Sequence, residues 1–266
     1  MKRIGTLLVI VGVLVAIGRI VERRRGSSSP AESTSSTSAS GSPSGLSADQ
    51  RSIDQELAPQ AGTQAPRDGL AAAVLIDTSG SMEKPAAGRR GPSKISIARE
   101  AALNVVDQFV RYAADHTGES VVLGVFEFSS RSNHPDCREV IAMGAPDRER
   151  AAAAVSRMTP GGGTPIGGAM ICAKHQLDKT GLARRHLVVI TDGENTDGFE
   201  PEDVTKVMGL RPYDERASIY FVAFDIEASR FTGVRDAGGY VLEAANGKEL
   251  GETLDSLLRG KILVEK

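Results

Sequence analysis

The sequence predicts an open, Rossmann-like α/β domain: a mostly parallel sheet with helices on both faces and one antiparallel edge strand. Three observations carry this expectation. The apolar runs "AAAVLI" (71–76), "LVVI" (187–190) and "IYFVAF" (219–224) are continuous rather than alternating, as in strands buried on both faces. Segments of helical length and period separate them, the order of a sheet wound with helices. Finally, oxygen-bearing turns lie at the ends of three of these units: "DTSGS" (77–81), "GGGTP" (161–165) and "TDG" (191–193).

In chain order, strands are expected at 70–77, 120–128, 186–191 and 218–224, with a weaker one at 240–244. The run "CREVIAM" (137–143) follows the second strand too closely for a helical crossover, so it should pair antiparallel at an edge. Helices are expected at 94–114, 147–158, 166–179, 201–209 and 246–259. In the first of these, Ile97, Ala101, Val105 and Val110 recur at roughly helical spacing. Ligands of such sheets bind beyond the carboxyl ends of the strands, near a switch in strand order. The oxygen-rich turns belong there.

Asp77, Ser79 and Ser81 alternate through their turn. A carboxylate and two hydroxyls aimed at one centre suit a hard cation such as Mg²⁺. An Asx-type turn capping the next segment explains the same residues equally well. Gly80 is read as the place where an unusual backbone conformation is needed. Thr164 is biased towards extended backbone by Pro165, and Pro165 is suited to opening a helix. The glycines before it lack the Lys-Ser or Lys-Thr pair of a nucleotide loop. Asp192 ends a buried strand and is either a further ligand or a cap.

Taken together, these turns resemble the metal ion-dependent adhesion site of the von Willebrand factor A-type domain: Asp-x-Ser-x-Ser, a distant Thr and a distant Asp. The resemblance spans about residues 70–258 and fills all five positions, with Asp77, Ser79, Ser81, Thr164 and Asp192. It implies that Ser79 and Ser81 coordinate Mg²⁺ (or Mn²⁺ or Ca²⁺) directly. Thr164 and Asp192 would alternate between direct and water-mediated contact, while Asp77 positions hydroxyls and waters. It also implies a protein partner whose Glu or Asp completes the coordination. Lys84, Arg89, Arg90, Glu194 and Asp225 are candidate rim residues around such a site.

The rest of the composition narrows the function. A net charge of −2, no Trp and 4% aromatics argue against a dedicated nucleic-acid binder. His134, His175 and the two cysteines lack paired zinc-ligand spacing. Ser79 lacks a G-x-S-x-G elbow, and no enzymatic activity is expected. Cys137 and Cys172 are placed where a disulfide is feasible if the helix behind Thr164 crosses the edge strand; two small apolar thiols are the alternative.

Residues 4–18 carry no charge and fit either a signal-peptide core or a borderline membrane span. With Arg19 reaching the headgroups, residues 1–25 are expected to be a retained single-pass anchor. The basic residues after the run favour a cytoplasmic body, whereas the Ser/Thr-rich stretch and the short basic N-terminus favour export. The extracytoplasmic side is expected. Residues 26–66 read as a flexible linker, interrupted by a helical patch at 47–57, and residues 67–266 as the folded domain. The expected role is a membrane-tethered, cation-dependent protein-binding module. An assembly component of a cytoplasmic membrane or ATPase complex is the alternative.

Overall fold

The computed structural model describes residues 45–58, 66–86, 91–131 and 137–265. The expected anchor at 1–25, most of the expected linker, and Arg89 and Arg90 lie outside the described residues. Among the described residues, no helix is long and apolar enough to cross a membrane.

Six strands form one sheet: β1 (Arg67–Asp77), β2 (Val121–Phe128), β3 (Cys137–Gly144), β4 (Leu182–Thr191), β5 (Ser218–Phe224) and β6 (Tyr240–Ala244), in the order β3-β2-β1-β4-β5-β6. All neighbours pair parallel except β2 and β3, which pair antiparallel at the edge. The chain leaves β1 towards β2 and later returns to its other side as β4. The switch in strand order therefore falls between β1 and β4, whose carboxyl ends are level with each other (Ile76 beside Ile190).

Because side chains alternate along a strand, β1 supplies both cores. Leu70, Ala72, Val74 and Ile76 pack with α2 (Lys94–Asp115), α3 (Arg148–Val155) and α7 (Gly247–Leu257). Ala71, Ala73 and Leu75 pack with α1 (Ala48–Glu56), α4 (Ile166–Lys179), α5 (Pro201–Leu210) and α6 (Thr232–Asp236). The buried stripe of α2 is Ile95, Ala98, Ala101, Ala102, Val105, Val106 and Phe109, with the expected Ala101 and Val105 in it and Ile97 and Val110 on its flank. Ile97 turns from the centre of this face towards α7, where its side chain lies against Gly247.

Several boundaries differ from expectation: β1 begins at Arg67 rather than 70, α3 ends at Val155 rather than 158, and α6 is an addition. β4 begins at Leu182, ahead of 186, because Arg184 and Arg185 continue the pairing with β1 through Leu70 and Ala71. After α7 the chain continues through a π-helical turn, Leu258–Ile262, that buries Leu258 and Ile262. The helical patch expected inside the linker is α1, and it is part of the folded body. Ser47 caps it with a reciprocal Gln50 contact. Ile53 and Leu57 are buried in the core, and Gln50 and Arg211 hold it to α5 through Asp203 (2.6 Å) and Asp54 (2.6 Å).

Candidate metal centre

β1 delivers Asp77 to the sheet end with no exposed surface. Its Oδ1 accepts the Ser79 backbone N–H at 2.7 Å and its Oδ2 accepts the Thr191 hydroxyl at 2.7 Å. Burial pushes its pKa up to about 6, against the opposing hydrogen bonds from Thr191 and Ser79. Ser79 then leads into a 3₁₀ turn, Gly80–Glu83. This turn brings Ser79 Oγ within 3.0 Å of Ser81 Oγ, and the Ser81 hydroxyl donates to Asp192 Oδ1 at 2.6 Å. Gly80 does not adopt a positive φ, contrary to expectation. Its backbone N–H instead donates to Gly162 O at 3.0 Å.

That last bond docks the glycine loop onto the first turn. Gly161 N–H donates to Thr78 O at 2.8 Å, and Ser130 and Gly163 exchange backbone hydrogen bonds at 3.2 Å each. Gly162 has φ +84°, and a Cβ there would run into the Ser130 carbonyl oxygen, so the loop requires glycine at this position. Thr164, 5% exposed, follows directly. Its backbone N–H donates to Thr196 Oγ1 at 2.8 Å, and Asn195 Oδ1 accepts the Ile166 N–H at 2.9 Å. Thr164 Oγ1 lies 3.6 Å from where a Cβ on Gly193 would stand. The threonine therefore faces the turn that carries Asp192. The three turns, distant in sequence, form one hydrogen-bonded cluster at the switch point.

Lys94, the first residue of α2, enters this cluster. Its Nζ lies 2.8 Å from Asp192 Oδ2 and 2.8 Å from Asp225 Oδ2. Burial pulls its pKa down, but the hydrogen bonds to Asp192 and Asp225 outweigh this and hold it above the usual value. Asp225 has φ +57°, the only non-glycine residue with positive φ among the described residues. Such strain persists where surrounding contacts over-determine the backbone. Here Lys94 and the Asp225 N–H bond to Ala244 O at 2.8 Å do so. Expected as a rim residue, Asp225 is instead joined to Asp192 through one ammonium.

Of the other rim candidates, Lys84 and Glu194 are described. Lys84 is exposed on the first loop, where its carbonyl accepts the Lys94 backbone N–H at 2.9 Å. Glu194 is exposed and pairs with Arg230 at 2.8 Å. The sequence reading missed Thr191, Lys94 as a member of the cluster, and Arg131, whose guanidinium donates to Gly161 O at 2.9 Å and to Thr78 O at 3.3 Å. Thr191 had a legible signal, a hydroxyl directly after the apolar run 187–190. Arg131 had none.

Among the described residues, no group of three or more His, Cys, Asp or Glu is arranged to hold a metal. The cluster is built instead on hydroxyls. An octahedral Mg²⁺ with oxygens at about 2.1 Å has adjacent ligands about 3.0 Å apart. The Ser79–Ser81 hydroxyl hydrogen bond, at 3.0 Å, has the length of such an edge. The all-oxygen donor set fits a hard divalent cation better than zinc or a soft metal.

Comparison with known proteins bears on the fold. The chain is similar in structure to the PilB minor pilin from Streptococcus sanguinis: TM-score 0.57, 13% identity, 77% of this chain and 63% of that one. It is also similar to a von Willebrand factor type A protein from Catenulispora acidiphila: TM-score 0.55, 21% identity, 71% of this chain and 42% of that one. It thus spans less than two thirds of the length of either. A third similar structure is the conserved hypothetical protein BatB from Bacteroides thetaiotaomicron: TM-score 0.53, 16% identity, 72% of this chain and all of that one. At these identities the likeness establishes the fold alone. Among curated proteins none matches the chain. Residues 72–194, from within β1 to the turn after β4, match the family model of the von Willebrand factor type A domain, on a fold that is itself von Willebrand factor A-like.

Proposed function

We propose that the chain is a membrane-tethered protein-binding module that engages an acidic residue of its partner through a bound divalent cation, Mg²⁺ first among the candidates. The observation that carries this reading is the pair of hydroxyls, Ser79 and Ser81, held 3.0 Å apart at the switch point with Asp192 bonded to one of them. Ser79, Ser81, Thr164 and Asp192 would hold the ion, with Asp77 fixing the turn through Ser79 and Thr191. When bound, the ion would supply an electrophilic vertex for a partner's Glu or Asp carboxylate. Asp192 and Asp225 share one ammonium, Lys94, and the buried Asp77 adds a third carboxylate close enough to Asp192 to feel its charge. This net negative cleft attracts cations and repels a bare anion, so an acidic ligand should depend on the metal for entry. Residues 4–18 would supply the tether and the Ser/Thr-rich stretch a flexible stalk, with the domain on the extracytoplasmic side.

The reading is tested with Mn²⁺ and short peptides. Addition of a Glu-containing peptide to the Mn²⁺-loaded chain should reduce the water-proton relaxation enhancement, because the carboxylate displaces metal-bound water. The matching Gln peptide should leave it unchanged. An equal response to both peptides, or no response to a broad set of acidic peptides, would contradict a carboxylate-binding site.

A further inference from the structure

Cys137 and Cys172 are the only cysteines in the chain. Cys137 opens β3, the antiparallel edge strand, opposite Phe128 of β2. Cys172 lies within α4, the helix that follows Thr164. The helix packs over this edge, and Cys137 packs against the apolar cluster to which Phe126 and Phe128 of β2 and Met170 and Ile171 of α4 belong. Residues 35 positions apart are thereby brought together as α4 packs on β3, close enough for the Cys137 thiol to act on that of Cys172. Both are half-buried, shielded by packing yet within reach of an exchange reagent.

We propose that Cys137 and Cys172 are a redox clasp: an intrachain disulfide that locks the edge strand to the helix behind Thr164. The thiol contact with Cys137 and the charge of Lys179 lower the Cys172 pKa against the effect of burial, which makes Cys172 the attacking thiolate. Its sulfur attacks an external disulfide, either glutathione disulfide or the disulfide of a thiol oxidoreductase, forming a mixed disulfide and releasing one external thiolate, which takes up a proton. The Cys137 sulfur then loses its proton, attacks the Cys172 sulfur of the mixed disulfide and expels the second external thiol. In sum, two protein thiols become one disulfide, and one external disulfide becomes two thiols, carrying off two electrons and two protons. The closed loop contains α3 and the glycine turn that presents Thr164. The bond therefore restrains the segment that presents Thr164, and it restricts the unfolded chain as well.

The test uses the full chain, held soluble with a mild detergent, in glutathione buffers graded from fully reduced to fully oxidised. Samples are quenched by alkylation and weighed by intact mass spectrometry. At the oxidised end the two thiols should disappear together, leaving a chain lighter by two hydrogens and free of glutathione. Its melting temperature should exceed that of the reduced chain by roughly 5 °C or more. Cys137→Ser should trap a glutathione adduct on Cys172 and abolish the oxidation-dependent rise. Two alkylatable thiols at the oxidised limit, a persistent glutathione adduct on the wild-type chain, or disulfide-linked dimers would overturn the proposal.

Discussion

Lys94 Nζ lies 2.8 Å from Asp192 Oδ2, two residues 98 positions apart in the chain, and the same nitrogen lies 2.8 Å from Asp225 Oδ2. The ammonium therefore neutralises part of the charge that would otherwise draw a cation to Asp192. Lys94→Met leaves the cleft one unit more negative, and Mg²⁺ affinity is expected to rise about tenfold. In the absence of metal the same variant should be less stable, by about 2–3 kcal/mol, because Asp192 and Asp225 lose their shared counter-charge. Calorimetric titration with Mg²⁺ and melts in EDTA measure the two effects. Unchanged or weaker Mg²⁺ binding would contradict this electrostatic role.

Asp77 carries a stability cost with a definite sign. Its folded pKa, about 6, lies above the ordinary value of 3.8, so the folded chain takes up this proton before the unfolded chain does. Its contribution is therefore most favourable below about pH 4 and declines as pH rises through 6, by about 3 kcal/mol in all. Asp77→Asn removes the charge. The backbone bond from Ser79 is kept, and the Thr191 hydroxyl can turn wholly to Gly193 O, 3.0 Å away. The metal-free variant should melt several degrees higher than wild type at pH 7 while losing cation binding. A lower melting temperature in EDTA would show that Asp77 is needed for the fold itself.

Gly162→Ala forces a side chain into left-handed backbone and against the Ser130 carbonyl oxygen. Because Gly162 O also accepts the Gly80 N–H, the displacement reaches both turns. A loss of about 2–4 kcal/mol is expected from urea unfolding. A change below about 0.5 kcal/mol would mean that the glycine loop tolerates another path.

His186, fully buried in β4, stacks on Tyr220 with ring centroids 6.0 Å apart, and Glu265 Oε2 lies 3.5 Å from its Nε2. Burial first, and the nearby Arg184 charge second, lower its pKa to about 4. The unfolded chain therefore takes up this proton first, and stability falls as pH drops from about 6.5 to 4, by up to about 3 kcal/mol. His186→Phe keeps the stack and removes this loss. Urea midpoints of the two chains should diverge progressively over that range, and parallel curves would refute the assignment.

Much of this architecture is legible in the sequence. The buried strands announce themselves as unbroken apolar runs, and the short spacing before "CREVIAM" foretells an antiparallel edge, as β3 bears out. α1 is harder to place because it sits in a polar, Ser-rich stretch. Only its partners on α5 show that Ile53 and Leu57 join the core. At the site, Asp77, Ser79, Ser81, Thr164 and Asp192 stand out through their turns. Lys94 does not, since a lysine at the end of a basic loop looks solvated until the fold sets it beside Asp192. Ile97 is a smaller case: its helical spacing with Ala101 and Val105 is legible, but that it packs at the flank beside Gly247 of α7 depends on the fold.

The central claim is that side chains from three separate turns hold one divalent cation. It is tested most directly by titrating Mn²⁺ into the metal-free chain, counting bound ions by electron paramagnetic resonance, with Ser79→Ala measured alongside. Wild type should bind one ion per chain in competition with Mg²⁺, and Ser79→Ala should weaken binding at least tenfold while melting within a few degrees of wild type in EDTA. Equal Mn²⁺ binding by the two proteins, or none by either, would contradict the account.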